Sequence, residues 1–107
     1  DKGRPWDVAK GFDQSAPISA ILPASEVSQL SDAEISLKVN GEMRQQAQLS
    51  DMIWSVPEII CELSKFFELK PGDIIYTGTP SGVTAVIKGD RITASVAGIG
   101  SLDFKIV

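Results

Sequence analysis

In EISLKV, Ile35, Leu37 and Val39 alternate with Ser36 and Lys38, the period of a strand with one covered face. Asn40-Gly41 follows, a pair that accepts positive φ at both positions and suits a type I′ turn. The chain then returns through Met43 to Gln48, so the pattern predicts a hairpin. Within the returning strand, QQAQ (residues 45–48) is read as its outward, polar face. The period next shifts to that of a helix. Ile59, Ile60, Leu63, Phe66 and Phe67 fall on one face, and Glu62, Ser64 and Lys65 are left outside it. Ser55 and Glu58 have the spacing of a capping box, and Pro57 sits in the first turn, where its missing N–H costs little. The helix is expected to end near Phe67, its apolar stripe being core packing.

Beyond KPGD the pattern changes again. DIIYTG is a short continuous apolar run, read as a strand covered on both sides, and residues 83–87 as another strand ending at the turn KGD. RITASV and LDFKIV alternate and are joined by AGIGS, which predicts a closing antiparallel meander. The first 23 residues carry glycine or proline every few positions. They are read as a loop to about Trp6, an extended run through Lys10-Gly11-Phe12, and a strand over residues 18–22. PASEVSQLSD is a polar connection with room for one helical turn. The sum is a mainly β chain, of the α+β class, with one helix packed on its strands.

Composition narrows the chemistry. The 107 residues suit one small domain. The net charge of −4 and pI near 4.6 give no electrostatic footprint for nucleic acid or an anionic membrane. No apolar run reaches membrane-spanning length and no secretory signal opens the chain, so a cytoplasmic protein is expected. Histidine is absent, which removes the commonest general base and metal ligand. Cys61, the single cysteine, lies in the apolar stretch EIICELSKFF and is expected to be a buried, inert thiol. The chain starts at DKGRPWD without a methionine, which reads as an interior point of a longer protein.

Three places could carry chemistry, the third being QQAQ, for which the outward face given above is the preferred reading. Lys10, in AKGFD, is either an exposed lysine or one held inward between small and aromatic neighbours. YTGTPSGV (residues 76–83) is either a plain tight turn or an anion-holding hollow. Gly78 and Gly82 would let backbone approach a ligand, while Thr77, Thr79, Ser81 and the exposed N–H groups would donate hydrogen bonds to it. No set of His, Cys, Asp and Glu has metal-ligand spacing.

AKGFDQSAPIS, LKVNGEMRQ, MIWSVPEII, LKPGDIIYTGTPSGV and a terminal GD…I…G…G occur in one order at fitting spacing. Together they resemble the C-terminal half of the fumarylacetoacetate hydrolase family, with the acylpyruvate and fumarylpyruvate hydrolase branch nearest, partly through KGRPWDVAK. The likeness covers essentially the whole chain. It implies that residues 1–107 are the C-terminal portion of a single catalytic domain, part of a mixed β-sandwich roll that assembles as a homodimer. It further implies a hydrolase that cleaves a carbon–carbon bond in 2,4-diketo acids and releases pyruvate. Mg²⁺ or Mn²⁺ would act as Lewis acid on the leaving enolate. Lys10 matches a lysine that would offset charge on that enolate. Thr79 matches a substrate-carboxylate contact, assisted by Gly78. Gln14 and Ser15 fall near a position where some members place a hydroxyl, and that role stays open.

The family's acidic metal ligands and its histidine base lie upstream of the matched lysine, so this chain supplies no metal ligand of its own. It is expected to need a missing N-terminal half and to be inactive alone. Oxaloacetate decarboxylation or dienedioate isomerisation and decarboxylation, known in the same family, is an alternative reaction. A non-catalytic β-rich fragment is an alternative of another class.

Overall fold

The structure, a computed structural model, describes Gly3, Pro5, residues 9–27 and residues 30–107. Strands β1 (Glu34–Val39) and β2 (Glu42–Gln48) form the expected hairpin. Asn40 and Gly41 have φ of 51° and 82°, the doubly positive geometry of a type I′ turn. Strands β3 (Arg91–Val96) and β4 (Gly100–Lys105) form the closing hairpin. β3 pairs with β1, giving one antiparallel sheet in the order β2-β1-β3-β4. The ladder between the two hairpins extends past the strand ends, where Asn40 N–H donates to the Arg91 carbonyl at 2.8 Å and Ala97 N–H to that of Glu34 at 2.9 Å. With helix α1 (Val56–Ser64), the architecture is the mixed α+β one expected.

Directly paired residues share a face of the sheet. One face therefore carries Ala47, Ile35, Leu37, Val39, Ile92, Ala94, Val96, Leu102 and Phe104. The other carries Ser36, Ser95, Thr93, Arg91 and Asp103. There the Ser36 and Ser95 hydroxyls lie 3.0 Å apart and Arg91 grips Asp103 with two nitrogens. Val39 and Ile92, paired on the apolar face beside the Asn40-Gly41 turn, are buried, as is Ala33.

Helix α1 begins as its sequence dictates. The Ser55 hydroxyl accepts from Glu58 N–H, and the Glu58 carboxylate accepts from Ser55 N–H. The helix stops at Ser64, three residues short of expectation. The Ser64 hydroxyl donates back to the Cys61 carbonyl at 2.7 Å, and the N–H groups of both Phe66 and Phe67 converge on the Leu63 carbonyl. Such sharing tightens and ends a last turn. The stripe is not covered within this chain: Phe66 is 78% exposed and Phe67 64%. Cys61, expected to be buried, is exposed on the same helix.

Three expected strands are absent from the described residues. Residues 18–22, 73–78 and 83–87 have no ladder partner, and Ile21, Ile74 and Val83 stand exposed. Their sequences have strand propensity, yet a strand is defined by a neighbour, and none reaches them here. Lys10 is not extended either. It shares a helical turn with Ala9, and the chain then bends at residues 12–15, where Ser15 N–H donates to the Phe12 carbonyl. The single helical turn expected in the polar connection is present at Ala24–Glu26. The loop expected up to Trp6 lies mainly outside the described residues. No helix among the described residues is long and apolar enough to cross a membrane.

Candidate functional site

A two-residue turn closing on Val39–Glu42 would pair Lys38 with Met43, Leu37 with Arg44 and Ser36 with Gln45. The observed register departs after the second pair. Leu37 faces Gln45, and Arg44 is left without a partner on β1. Arg44 is thus the extra residue of a β-bulge, and every later side chain of β2 changes face. Gln45 moves from the polar to the apolar side and is buried at 9% exposure. Gln46 and Gln48 remain outside, and the Gln46 amide donates to Glu34 at 2.9 Å. The outward reading of QQAQ is therefore corrected for its first residue.

A buried amide on an apolar face needs partners. Gln45 finds them in the stretch YTGTPSGV. Its Nε2 donates to Thr79 Oγ1 at 2.7 Å and to the Pro80 carbonyl at 2.6 Å. That carbonyl can only accept, so the amide nitrogen, not its oxygen, faces the loop. Two residues beyond Pro80, Gly82 has φ +100°, and a Cβ there would overlap the Arg44 carbonyl oxygen. Only glycine lets the loop rest on the backbone of the bulge. Gly78 also has a positive φ, +95°, with open space where a Cβ would stand.

The loop walls a cleft of about 680 Å³. Ile35 and Ala47 of the sheet, Met52 and Trp54 of the connection, and Ile59 of α1 supply apolar lining, and residues 77–81 the polar side. Among the described residues, the N–H groups of Gly78, Thr79 and Ser81 make no hydrogen bond within the chain. Thr79 Oγ1 accepts from Gln45, and its own proton goes to no atom of the described residues. A hydroxyl and several amide N–H groups in the wall of one hollow are suited to holding a carboxylate. Asp51, also in the lining, has its carboxylate turned to Gln48 N–H at 2.9 Å, where it caps the short turn Leu49–Asp51.

Of the residues singled out from sequence, Thr79 and Gly78 line this cleft and Lys10 does not. The two motif segments do meet. Tyr76, at the base of the loop, donates its hydroxyl to the Ala16 carbonyl at 3.4 Å, six residues beyond Lys10. Ser15 is half-buried and its hydroxyl accepts from Phe12 N–H, while Gln14 takes a φ of 63° in the same bend. Gln45 is the site residue that sequence reasoning missed.

The groups whose titration is displaced lie away from the cleft wall formed by the loop. Hydrogen bonds from Ser55, backbone first, hold Glu58 below its usual range. Ile87 N–H and then Asn40 do the same for Asp90. The hydrogen bonds from Arg91 lower Asp103, which in turn raises Arg91. Among the described residues no group of three or more His, Cys, Asp or Glu could hold a metal ion. The donor set of the described residues does not by itself fit one.

The family model for the C-terminal part of fumarylacetoacetate hydrolase matches residues 1–107. The fumarylpyruvate hydrolase of Ralstonia sp is 43% identical over 106 residues, 99% of this chain and 55% of the relative. The mitochondrial oxaloacetate tautomerase of Bos taurus is 46% identical over 105 residues, 98% of this chain and 48% of the relative. The crystal structure of fumarylpyruvate hydrolase from Pseudomonas aeruginosa in complex with Mn²⁺ and pyruvate superposes with a TM-score of 0.93 at 50% identity, covering 98% of this chain and 45% of that one. The chain thus spans about half the length of the relatives it matches. With its motifs in order, its sheet and helix in the same arrangement and its whole length matched, this chain belongs to the fumarylacetoacetate hydrolase family.

Proposed function

We propose that this chain is the carboxylate-holding half of an enzyme that hydrolyses a carbon–carbon bond in 2,4-diketo acids of the acylpyruvate or fumarylpyruvate type. The observation that carries the reading is the bend at residues 77–82. It places a hydroxyl, and N–H groups with no partner among the described residues, in the wall of a cleft lined largely by apolar side chains, in a chain half identical to a hydrolase crystallised with Mn²⁺ and pyruvate. In this reading Thr79 and the neighbouring N–H groups, with Gly78 giving the turn its shape, fix the terminal carboxylate. Hydrolysis adds water to the distal carbonyl, breaks the bond to the central carbon, and releases a carboxylic acid and the enolate of pyruvate. A proton then converts the enolate to pyruvate. The Lys10 ammonium would stabilise the enolate's charge. That role rests on the family resemblance, since Lys10 is not in the cleft lining. The group that activates water is assigned to an upstream segment, this chain having no histidine. The ligands for Mg²⁺ or Mn²⁺ are assigned there too. A cytoplasmic homodimer is part of the same proposal.

A test uses the full-length protein, meaning this chain with its upstream segment, supplied with Mn²⁺ and acetylpyruvate or fumarylpyruvate. Pyruvate release is expected. It should fall at least about tenfold in kcat for Lys10→Ala, and full activity in that variant would remove Lys10 from the mechanism. The 46% identity to an oxaloacetate tautomerase favours a second reading, in which the same cleft holds oxaloacetate. Side-by-side assays of oxaloacetate and an acylpyruvate distinguish the two. Failure of the full-length protein to bind either class would leave a non-catalytic β-rich module.

A further inference from the structure

We infer that Gln45 is a positioning residue for substrate binding: it fixes the hydroxyl of Thr79 so that its proton points into the cleft. The inference deepens the carboxylate-clamp reading of residues 77–82 and rests on it.

Packing alone gives no reason for an amide at this position. Its neighbours on the same face, Leu37 across the ladder and Ala47 two residues along, are apolar, and a leucine would fill the space without a polar atom to satisfy. What glutamine supplies is two N–H donors on one atom. Both go to the loop, one to the Thr79 side chain and one to the Pro80 backbone, across a sequence separation of 34 residues. A hydroxyl has one proton and two lone pairs. With a lone pair taken by Nε2, the Thr79 proton is displaced to the other side of its oxygen, away from β2. Threonine is β-branched, so fixing Oγ1 also fixes its methyl. The bond to Pro80 fixes the backbone on which Thr79 sits. Gly82, seated on the Arg44 carbonyl, closes the same contact from the far side. The bulge at Arg44 makes all of this possible, because without it Gln45 would face the opposite side of the sheet.

The full-length protein loaded with Mn²⁺ provides the test, with pyruvate as the probe ligand and acylpyruvate turnover as the second readout. Gln45→Leu is expected to weaken pyruvate binding about tenfold and to raise KM by a similar factor, leaving kcat within about threefold, as when uniform binding is lost. Thr79→Val should do the same. The double variant should be no worse than Thr79→Val alone, because Gln45 acts through that hydroxyl. Gln45→Glu gives a signature that a merely structural residue would not. Its carboxylate cannot donate and would draw the Thr79 proton toward β2. As pH falls through the carboxyl range and one donor returns, binding relative to the unaltered protein should recover. Taking that ratio cancels the titration of Asp51, the charged side chain in the lining.

Additive effects of Gln45→Leu and Thr79→Val would overturn the inference, as would a Gln45→Glu deficit that does not change with pH. Should Gln45→Leu not fold, Gln45→Glu, which preserves length and polarity, carries the test. Unchanged pyruvate binding in Thr79→Val would refute the clamp itself. A loss in Thr79→Val with none in Gln45→Leu would refute only the role of Gln45.

Discussion

Among the bends that place a glycine at positive φ, two adjoin β2, yet they hold their shapes by different means. The Asn40-Gly41 turn takes its shape from its own two residues and is braced by the neighbouring hairpin. Its two residues tolerate the left-handed region, and Asn40 adds bonds to its immediate surroundings, donating to Asp90 and accepting from Arg91 N–H. The bend at residues 77–82 also has glycines that accept the left-handed region, but its side-chain and backbone contacts are all with β2. Its shape is imposed by Gln45 and by the bare backbone at Arg44, distant in sequence. The first bend spends its polar groups on the fold, whereas the second keeps several for something outside it. A candidate binding loop is thus recognisable by which of its hydrogen-bonding groups the protein leaves undirected.

The contrast can be broken most sharply at Gly82. Gly82→Ala adds a methyl where the Arg44 oxygen already lies and strains a φ of +100°. We expect a loss of roughly 3 kcal/mol in urea unfolding of the full-length protein, with pyruvate binding lost as the loop lifts from β2. Gly78→Ala meets open space, so only the backbone strain of roughly 1–2 kcal/mol applies. Equal losses at the two glycines would mean that the seat on the bulge does not hold the loop. At the other bend, Asn40→Ala removes two side-chain bonds and is expected to cost about 1–2 kcal/mol with pyruvate binding unchanged. Coupling between that change and ligand affinity would erase the distinction drawn between the bends. Ser55→Ala, which removes the α1 cap, should lower stability by about 1 kcal/mol in thermal unfolding.

The smallest effect expected is that of acid. Glu58, Asp90 and Asp103 are each held below their ordinary values of 4.5, 3.8 and 3.8. A depressed carboxyl contributes stability above its unfolded pKa and loses it as pH falls through the folded one. The contribution of these groups should therefore be constant from about pH 8 to about pH 5.5 and decline below about pH 4.5. Asp103→Asn should make that decline shallower, and an unchanged acid limb would show that the Arg91 contact contributes nothing.

Legibility from sequence divided along the same line. The Asn40-Gly41 hairpin, the Ser55–Glu58 box and the closing meander were all readable, because residues a few positions apart determine them. The family followed from ordered motifs, and Thr79 and Gly78 came with it. Gln45 was misplaced because a bulge is a one-residue event: polar-apolar alternation from the turn puts it outside, and only the register puts it inside. The runs at 18–22, 73–78 and 83–87 have strand composition but lack the neighbours that make a strand. Phe66 and Phe67 belong to an apolar stripe that the described residues leave open, so their exposure was not visible in helical periodicity, whereas Cys61 falls outside that stripe and its apolar surroundings in sequence were misleading. Lys10 has a motif, but it is not among the residues that line the cleft.

The bulge also sets a counting rule. Between the tip of the first hairpin and the amide that anchors the loop, the number of residues must be odd where an ordinary ladder would make it even. Ironing out the bulge with Arg44 kept in the ladder would aim the anchor at the wrong side of the sheet, whereas deleting Arg44 would keep Gln45 opposite Leu37 but take away the carbonyl on which Gly82 rests. Anyone transplanting this cleft onto another scaffold would have to carry that spare residue along with the residues that touch the ligand.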